Sequence, residues 1–248
     1  MGRRPPFAGR YSAGLPARRF DTWRFWGIEG GITNWRALSP PALEAERAAY
    51  EEAITGLDAD VGAMLGELRQ RGVLDRTLVI ITSDHGQLFG EHEMYSHGNS
   101  LYWRTVHVPL IVSWPGRLAG GERVSTPVSL RDLAATIQQL AIPSSPVSLP
   151  GTSLLTGAEA GIAPLVLSEL SLEEFARADA AMRNGSLQSV VGADWQYMRA
   201  ANGHEDVFRI GQQWTDTLIT DVPVRAAIVD TARNQLSRSR VPPPAPQR

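Results

Sequence analysis

Cysteine is absent from all 248 residues. This removes disulfide frameworks, thiolate zinc sites, iron–sulfur clusters and unmodified cysteine nucleophiles together. Long apolar runs are missing as well. No stretch approaches the roughly 20 residues that a bilayer-spanning helix needs, and Met1-Gly2-Arg3-Arg4-Pro5-Pro6 leads into no hydrophobic signal core. Nor is there an excess of charge of either sign. Lys and Arg number 24 against 26 Asp and Glu, which argues against a nucleic-acid partner, because phosphates demand a basic surface. What is present, 43% hydrophobic and 20% charged residues, suffices for a sizeable core in one large domain or one and a half. As it stands the chain is expected to be soluble and cytoplasmic, with export left open should a signal peptide lie upstream.

Along the chain, residues 1–38 form a loop-like segment rich in Arg, Gly, Pro and aromatics, without helical or strand periodicity. Ser39-Pro40 then predicts a helix start, with Tyr50, Ile54, Leu57, Val61, Met64 and Leu68 spaced as one apolar stripe and Gly72 as the terminating residue. Thr77-Leu78-Val79-Ile80-Ile81-Thr82 is a continuous β-rich run that predicts a central strand buried on both faces of a parallel sheet. Val108 to Trp114 predicts a second strand, parallel to the first and closed by Pro115-Gly116. A helix over Leu130–Leu140, a strand at 165–169, a hairpin of 187–191 with 195–198 and a helix over 222–236 follow. Residues 171–240 are expected to form a small subdomain, and the proline-rich 241–248 a disordered tail.

The chemistry gathers where the first strand ends. Ser83-Asp84-His85-Gly86 stands at its carboxyl end, where ligands bind in open α/β sheets. His92 and His97 follow, so three of the five histidines fall within one short stretch. Carboxylate and imidazole together suit a divalent metal or an anion. His92 is expected to be a solvated loop residue, and His107 and His204 to be structural.

Several ordered blocks carry a resemblance. Thr82-Ser83-Asp84-His85-Gly86, Gly90-Glu91-His92, His97-Gly98-Asn99-Ser100-Leu101-Tyr102, Val108-Pro109-Leu110-Ile111-Val112, Trp114-Pro115-Gly116, Asp132-Leu133 and Gly151-Thr152-Ser153-Leu154 resemble the sulfatase family of the alkaline phosphatase superfamily. The resemblance implies an α/β fold: an alkaline-phosphatase-like sandwich around a buried mixed or parallel sheet, with a small C-terminal antiparallel subdomain. Residues 39–170 would then be the C-terminal part of the sulfatase α/β domain. It further implies metal-dependent hydrolysis of sulfate esters of a small molecule or a sugar. Asp84 and His85 would be metal ligands, and His97 the catalytic group that contacts sulfate and assists departure of the ester oxygen. The cation would be Ca²⁺ in the first place, with Mg²⁺ or Mn²⁺ as alternatives, because the ligand set is oxygen-rich with one imidazole and no thiolate.

One part of the family pattern is missing. Sulfatases make a formylglycine nucleophile from Cys or Ser in a Cys/Ser-x-Pro-x-Arg signature that follows an early acidic pair, and no such site is recognisable here. Ser113-Trp114-Pro115-Gly116-Arg117 satisfies the formula but follows the metal strand instead of preceding it. No nucleophile is assigned, and the chain is expected to correspond to the C-terminal portion of a sulfatase, inactive by itself. A phosphoryl-transfer or phosphodiesterase relative of the same superfamily and a non-catalytic metal-binding remnant are the alternatives. Oligomeric state and substrate identity are not legible.

Overall fold

Proline at the first two helical positions has no intrahelical N–H bond to lose, and the long helix α1, Pro40–Gln70, starts on Ser39 with Pro40 and Pro41 in its first turn. It stops at Gly72, whose φ of +65° lets the chain reverse while its N–H and that of Val73 bond the carbonyls of Arg69 and Leu68. The computed structural model describes residues 9–15, 39–144, 149–157, 165–171, 185–211 and 215–239. Most of the aromatic-rich opening segment and the proline-rich tail lie outside the described residues.

The buried face of α1 is not the expected apolar stripe. Ala42, Ala45, Ala48 and Ala49 are buried, whereas Ile54, Leu57 and Met64 are 49%, 64% and 50% exposed. Two neighbours lie close against the helix. Gly90 sits so near Leu43 that a Cβ there would lie 3.2 Å from its Cδ2. Glu52, also buried, turns one carboxylate oxygen to the amides of Gly9, Tyr11 and Ser12 and to the Ser12 hydroxyl, at 2.8 to 3.1 Å. Four donors on one oxygen outweigh the desolvation that would raise its pKa, and hold the Glu52 carboxyl below its ordinary value.

Two compact units are present, Met1–His97 with His107–Glu122, and Gly98–Val106 with Arg123–Arg248. In the first, β1 (Val79–Thr82) follows a short 3₁₀ turn at Leu74–Arg76 and pairs with β4 (Leu110–Ser113). The pairing is antiparallel, Val79 opposite Ser113 and Thr82 opposite Leu110. This corrects the expected parallel arrangement, and neither strand is fully buried, Ile111 being 56% exposed. A continuous apolar run signals strand but carries no information on the direction of its partner. Between them lies a minimal hairpin, β2 (Leu88–Phe89) with β3 (Tyr95–Ser96), whose Phe89 ring sits edge-on to Tyr50 and Tyr95 at 5.1 and 5.5 Å.

In the second unit the short helix α2 (Trp103–Val106) precedes α3 (Arg131–Ala141) and α4 (Leu154–Gly157). The Asp132 carboxylate binds the amides of Ser129 and Thr152, and Gly151 approaches α3 so closely that a Cβ would lie 2.5 Å from the Arg131 carbonyl oxygen. Asp132 and Gly151-Thr152 are therefore one packed motif. The strands β5 (Val166–Leu170), β6 (Leu187–Val191), β7 (Trp195–Ala200), β8 (Glu205–Ile210) and β9 (Asp216–Leu218) form an antiparallel meander in chain order. Helix α5, Val222–Arg238, capped by Asp221 on the Val224 amide, packs Val229, Ala232 and Leu236 against Val190, Tyr197 and Val207. On the alternate strand positions Leu187, Met198, Ala200 and Phe208 gather around Leu101.

Glu205 ties α5 to this sheet. It accepts from the Tyr197 hydroxyl at 2.5 Å and from Arg233 through both carboxylate oxygens at 3.0 and 2.7 Å. Burial, together with the neighbouring carboxylate, pushes the Tyr197 phenol up to about 12. Burial also acts to raise the Glu205 carboxyl, but the bonds from Arg233 and Tyr197 prevail and hold it below its ordinary value. We predict that Glu205→Gln lowers unfolding stability by about 1–2 kcal/mol in urea titrations at neutral pH. A carboxyl depressed in the native state contributes fully above its unfolded-chain value of about 4.3 and loses that contribution as pH falls through the native value. The difference between wild type and Glu205→Gln should accordingly shrink below about pH 4.

Candidate active site

Immediately past the expected strand end at Thr82, the chain makes a tight polar turn. The Asp84 Oδ1 accepts from the His85 amide at 2.9 Å and lies 3.3 Å from the Ser83 hydroxyl, which donates to the His85 carbonyl at 2.8 Å. These bonds consume one carboxylate oxygen and leave Oδ2 turned to the His85 ring, 3.6 Å from Nε2. The Asp84 carboxyl is held below its ordinary value, first by the His85 amide, against desolvation, with the charge of His85 adding to the lowering. The side chain is 85% exposed.

His85 is fixed from its other side. Its Nδ1 lies 2.9 Å from the Gly86 carbonyl, which can only accept, so Nδ1 carries a proton and Nε2 is the lone-pair nitrogen of the neutral ring. Its face stacks on His97, ring centroids 4.2 Å apart and 25° from parallel. His97 in turn sends Nδ1–H to the Gln87 Oε1 at 2.7 Å, and the Gln87 amide group is oriented by the Leu88 carbonyl at 3.3 Å. Burial lowers the His97 pKa, the nearby His85 lowers it further, and Asp84 opposes. Asp84, His85 and His97 are thus brought into one cluster, although the first two lie on a turn beyond β1 and not on the strand itself.

Gln87 has no signal in the sequence. A glutamine two residues after a histidine is unremarkable until the β2–β3 hairpin folds the chain back and delivers His97 to it. That fold-back passes through unusual backbone: His92, Glu93 and Ser96 have φ of 54°, 56° and 76°, flanked by Gly90 at 109° and Gly98 at 71°. Non-glycine residues in this region carry strain that the surrounding structure must hold. His92 lies in the 3₁₀ turn Glu91–Glu93. His204 pairs with Asp206 at 2.9 Å in the second unit, and half-buried His107 has its pKa lowered by burial.

A carboxylate oxygen and an imidazole nitrogen 3.6 Å apart suit two ligands of a divalent cation. They make a partial set: among the described residues no three His, Asp or Glu side chains are grouped to hold a metal. Ser113 stands at the far end of the strand pair, opposite Val79, and takes no part in the cluster. Among the described residues no helix is long and apolar enough to cross a membrane.

The sequence model of sulfatases matches residues 7–143, more than half of the chain. The chain belongs to the sulfatase family. Arylsulfatase K of Xenopus laevis is 32% identical over 163 residues, which make up 63% of this sulfatase chain and 30% of that protein. A phosphonate monoester hydrolase from Silicibacter pomeroyi superposes with a TM-score of 0.68 at 24% identity, over 84% of this chain and 44% of that one. A 2-O GAG sulfatase superposes with a TM-score of 0.69 at 21% identity, over 85% and 47%. The chain spans less than a third of that curated relative and less than half of those solved chains. The α/β fold expected from the sequence is the fold of these structures.

The hydrogen bond to Gln87 should set the His97 tautomer. In nitrogen-resolved histidine NMR of the neutral ring, wild type is expected to show Nδ1–H at His97. Gln87→Leu should shift the ring largely to Nε2–H, whereas Gln87→Glu should retain Nδ1–H.

Proposed function

We propose that this chain carries the cation-binding and proton-donating side of a sulfatase centre, acting in hydrolysis of sulfate esters. The observation that carries the reading is the cluster itself: an oriented carboxylate–imidazole pair stacked against a second imidazole that is held by Gln87. The sequence likeness to an arylsulfatase favours sulfate over phosphoryl esters, since the phosphonate hydrolase likeness is one of fold. Substrates of this reading are aryl sulfates or sulfated sugars.

Asp84 and His85 would hold the cation, Ca²⁺ by the hardness of the oxygen ligands, and a bound cation supplies electrostatic stabilisation of the sulfuryl oxygens. In its imidazolium form His97 would give the ester oxygen its Nε2 proton, because Nδ1–H is committed to Gln87, and the lowered pKa makes that proton easier to release. Stacking on His85 fixes the plane of that ring and limits where the proton can be delivered. The Asp84 carboxylate remains ionised throughout the neutral range and balances imidazolium character on either ring. With no cysteine in the chain and Ser113 at the opposite end of β1 and β4, these residues provide charge stabilisation and a proton without a group to attack sulfur.

Two outcomes are expected. Purified 1–248 should bind Ca²⁺ weakly, with a dissociation constant of about 10⁻⁴ to 10⁻³ M by calorimetry, and lose it on Asp84→Ala; nanomolar binding would overturn the partial ligand set. It should not turn over 4-nitrophenyl sulfate by itself. Joined to a half bearing Cys/Ser-x-Pro-x-Arg and an acidic pair, it should gain turnover that falls about 10²- to 10⁴-fold on His97→Ala. Turnover by 1–248 that vanishes on Ser113→Ala would sink the reading.

A further inference from the structure

At the end of the strand pair opposite Asp84, the antiparallel register sets two turns side by side. The 3₁₀ turn Leu74–Arg76 enters β1, and the turn Trp114–Arg117 leaves β4, with Val79 opposite Ser113 fixing their alignment. Gly116 takes a φ of +78°, and the amides of Arg117 and Leu118 both bond the Trp114 carbonyl at 3.0 Å. An open cleft of about 690 Å³ results, lined by Asp75, Arg76, Trp114, Pro115, Gly116 and Arg117.

The charges of the cleft are unspent. Neither Arg76 nor Arg117 forms an ion pair with a carboxylate among the described residues, Asp75 in the same cleft included. Arg117 is held instead by the indole, its Cζ 4.9 Å from the Trp114 ring centroid. A guanidinium resting on an aromatic face is oriented without neutralisation, so its planar fork of N–H donors remains available to an oxyanion. Two cations against one carboxylate leave the cleft net positive, while the half-buried indole and Pro115 give it an apolar wall.

We propose that this cleft is a second ligand site, separate from the Asp84–His97 cluster, which takes an oxyanion carried on a ring: a sulfate, phosphate or carboxylate group gripped by Arg76 and Arg117, with the ring lying along Trp114 and Pro115. It goes beyond the hydrolytic reading and does not depend on it, for the two sites share no residue. This also gives a role to the Ser113–Arg117 segment, which satisfies a nucleophile formula yet stands far from the reactive cluster. Its arginine and tryptophan are bound to recognition, and its glycine makes the turn that sets the two in contact.

The test is titration of the full chain with 4-nitrophenyl sulfate, glucose 6-sulfate and sodium sulfate, followed by the indole N–H resonance of Trp114, assigned with Trp114→Phe. Saturable shifts with the two ring-bearing sulfates are expected, with inorganic sulfate weaker. Arg76→Gln and Arg117→Gln should each weaken binding about three- to fivefold, as suits exposed charge pairs, and added salt should weaken it further. Asp75→Asn should tighten binding, an outcome that misfolding could not imitate. His97→Ala and Asp84→Ala should leave the titration unchanged, so failure of the hydrolytic reading and failure of this one are told apart. Equal affinity in wild type and the double arginine variant would overturn the proposal. Inorganic sulfate binding as tightly as its ring-bearing esters would overturn the role of the indole.

Discussion

Antiparallel pairing of β1 with β4 governs the geometry of the first unit. In an antiparallel pair the start of one strand lies beside the end of the other. The turn that follows Thr82 and the turn that follows Ser113 therefore point to opposite ends. One end receives Asp84 and His85, the other Trp114 and Arg117. Had the strands run parallel, both turns would have emerged on one side, and Ser113 would have stood beside the carboxylate–imidazole pair.

Around Asp84 the order is imposed by backbone groups before any side chain takes part. Asp84 folds back on the His85 amide, His85 points Nδ1 at the Gly86 carbonyl, and Ser83 closes the turn on the His85 carbonyl. Such short-range bonds preset the pair in a part of the chain that is well exposed. His97 arrives from a distance, and its approach requires three non-glycine residues with positive φ. The stack on His85 and the bond to Gln87 are the two contacts that orient its ring.

Two hydrogen-bonded carboxylates, the buried Glu52 and the partly buried Glu205, do comparable work elsewhere. Glu52 collects backbone amides of residues 9–12 onto α1, and Glu205 collects Tyr197 and Arg233 onto β8. In each case the charge is tolerated because donors converge on it, and in each the carboxyl is held below its ordinary value. Local element and long-range partner are joined by one residue, so these positions link separate segments more firmly than apolar contact alone would.

The sequence by itself determined the elements and the chemical inventory. The Ser39-Pro40 start and Gly72 stop of α1, the β-rich runs around Ile80 and Ile111, the hairpin of β6 with β7, and the succession of Asp84, His85 and His97 along one stretch of chain were all legible, because caps, turns and residue types act within a few positions. The apolar stripe of α1 was legible as a stripe but not as the exposed one, since burial depends on what packs against the helix, and the alanines admit closer neighbours than Ile54 or Leu57 could. Only the tertiary structure decided the direction of β4 against β1, the delivery of His97 to Gln87, and the meeting of Arg76 with the Trp114–Arg117 turn. Each of these is a pairing between segments distant along the chain, and hydrophobic periodicity, which records how one segment faces its surroundings, holds no record of which segment those surroundings will be.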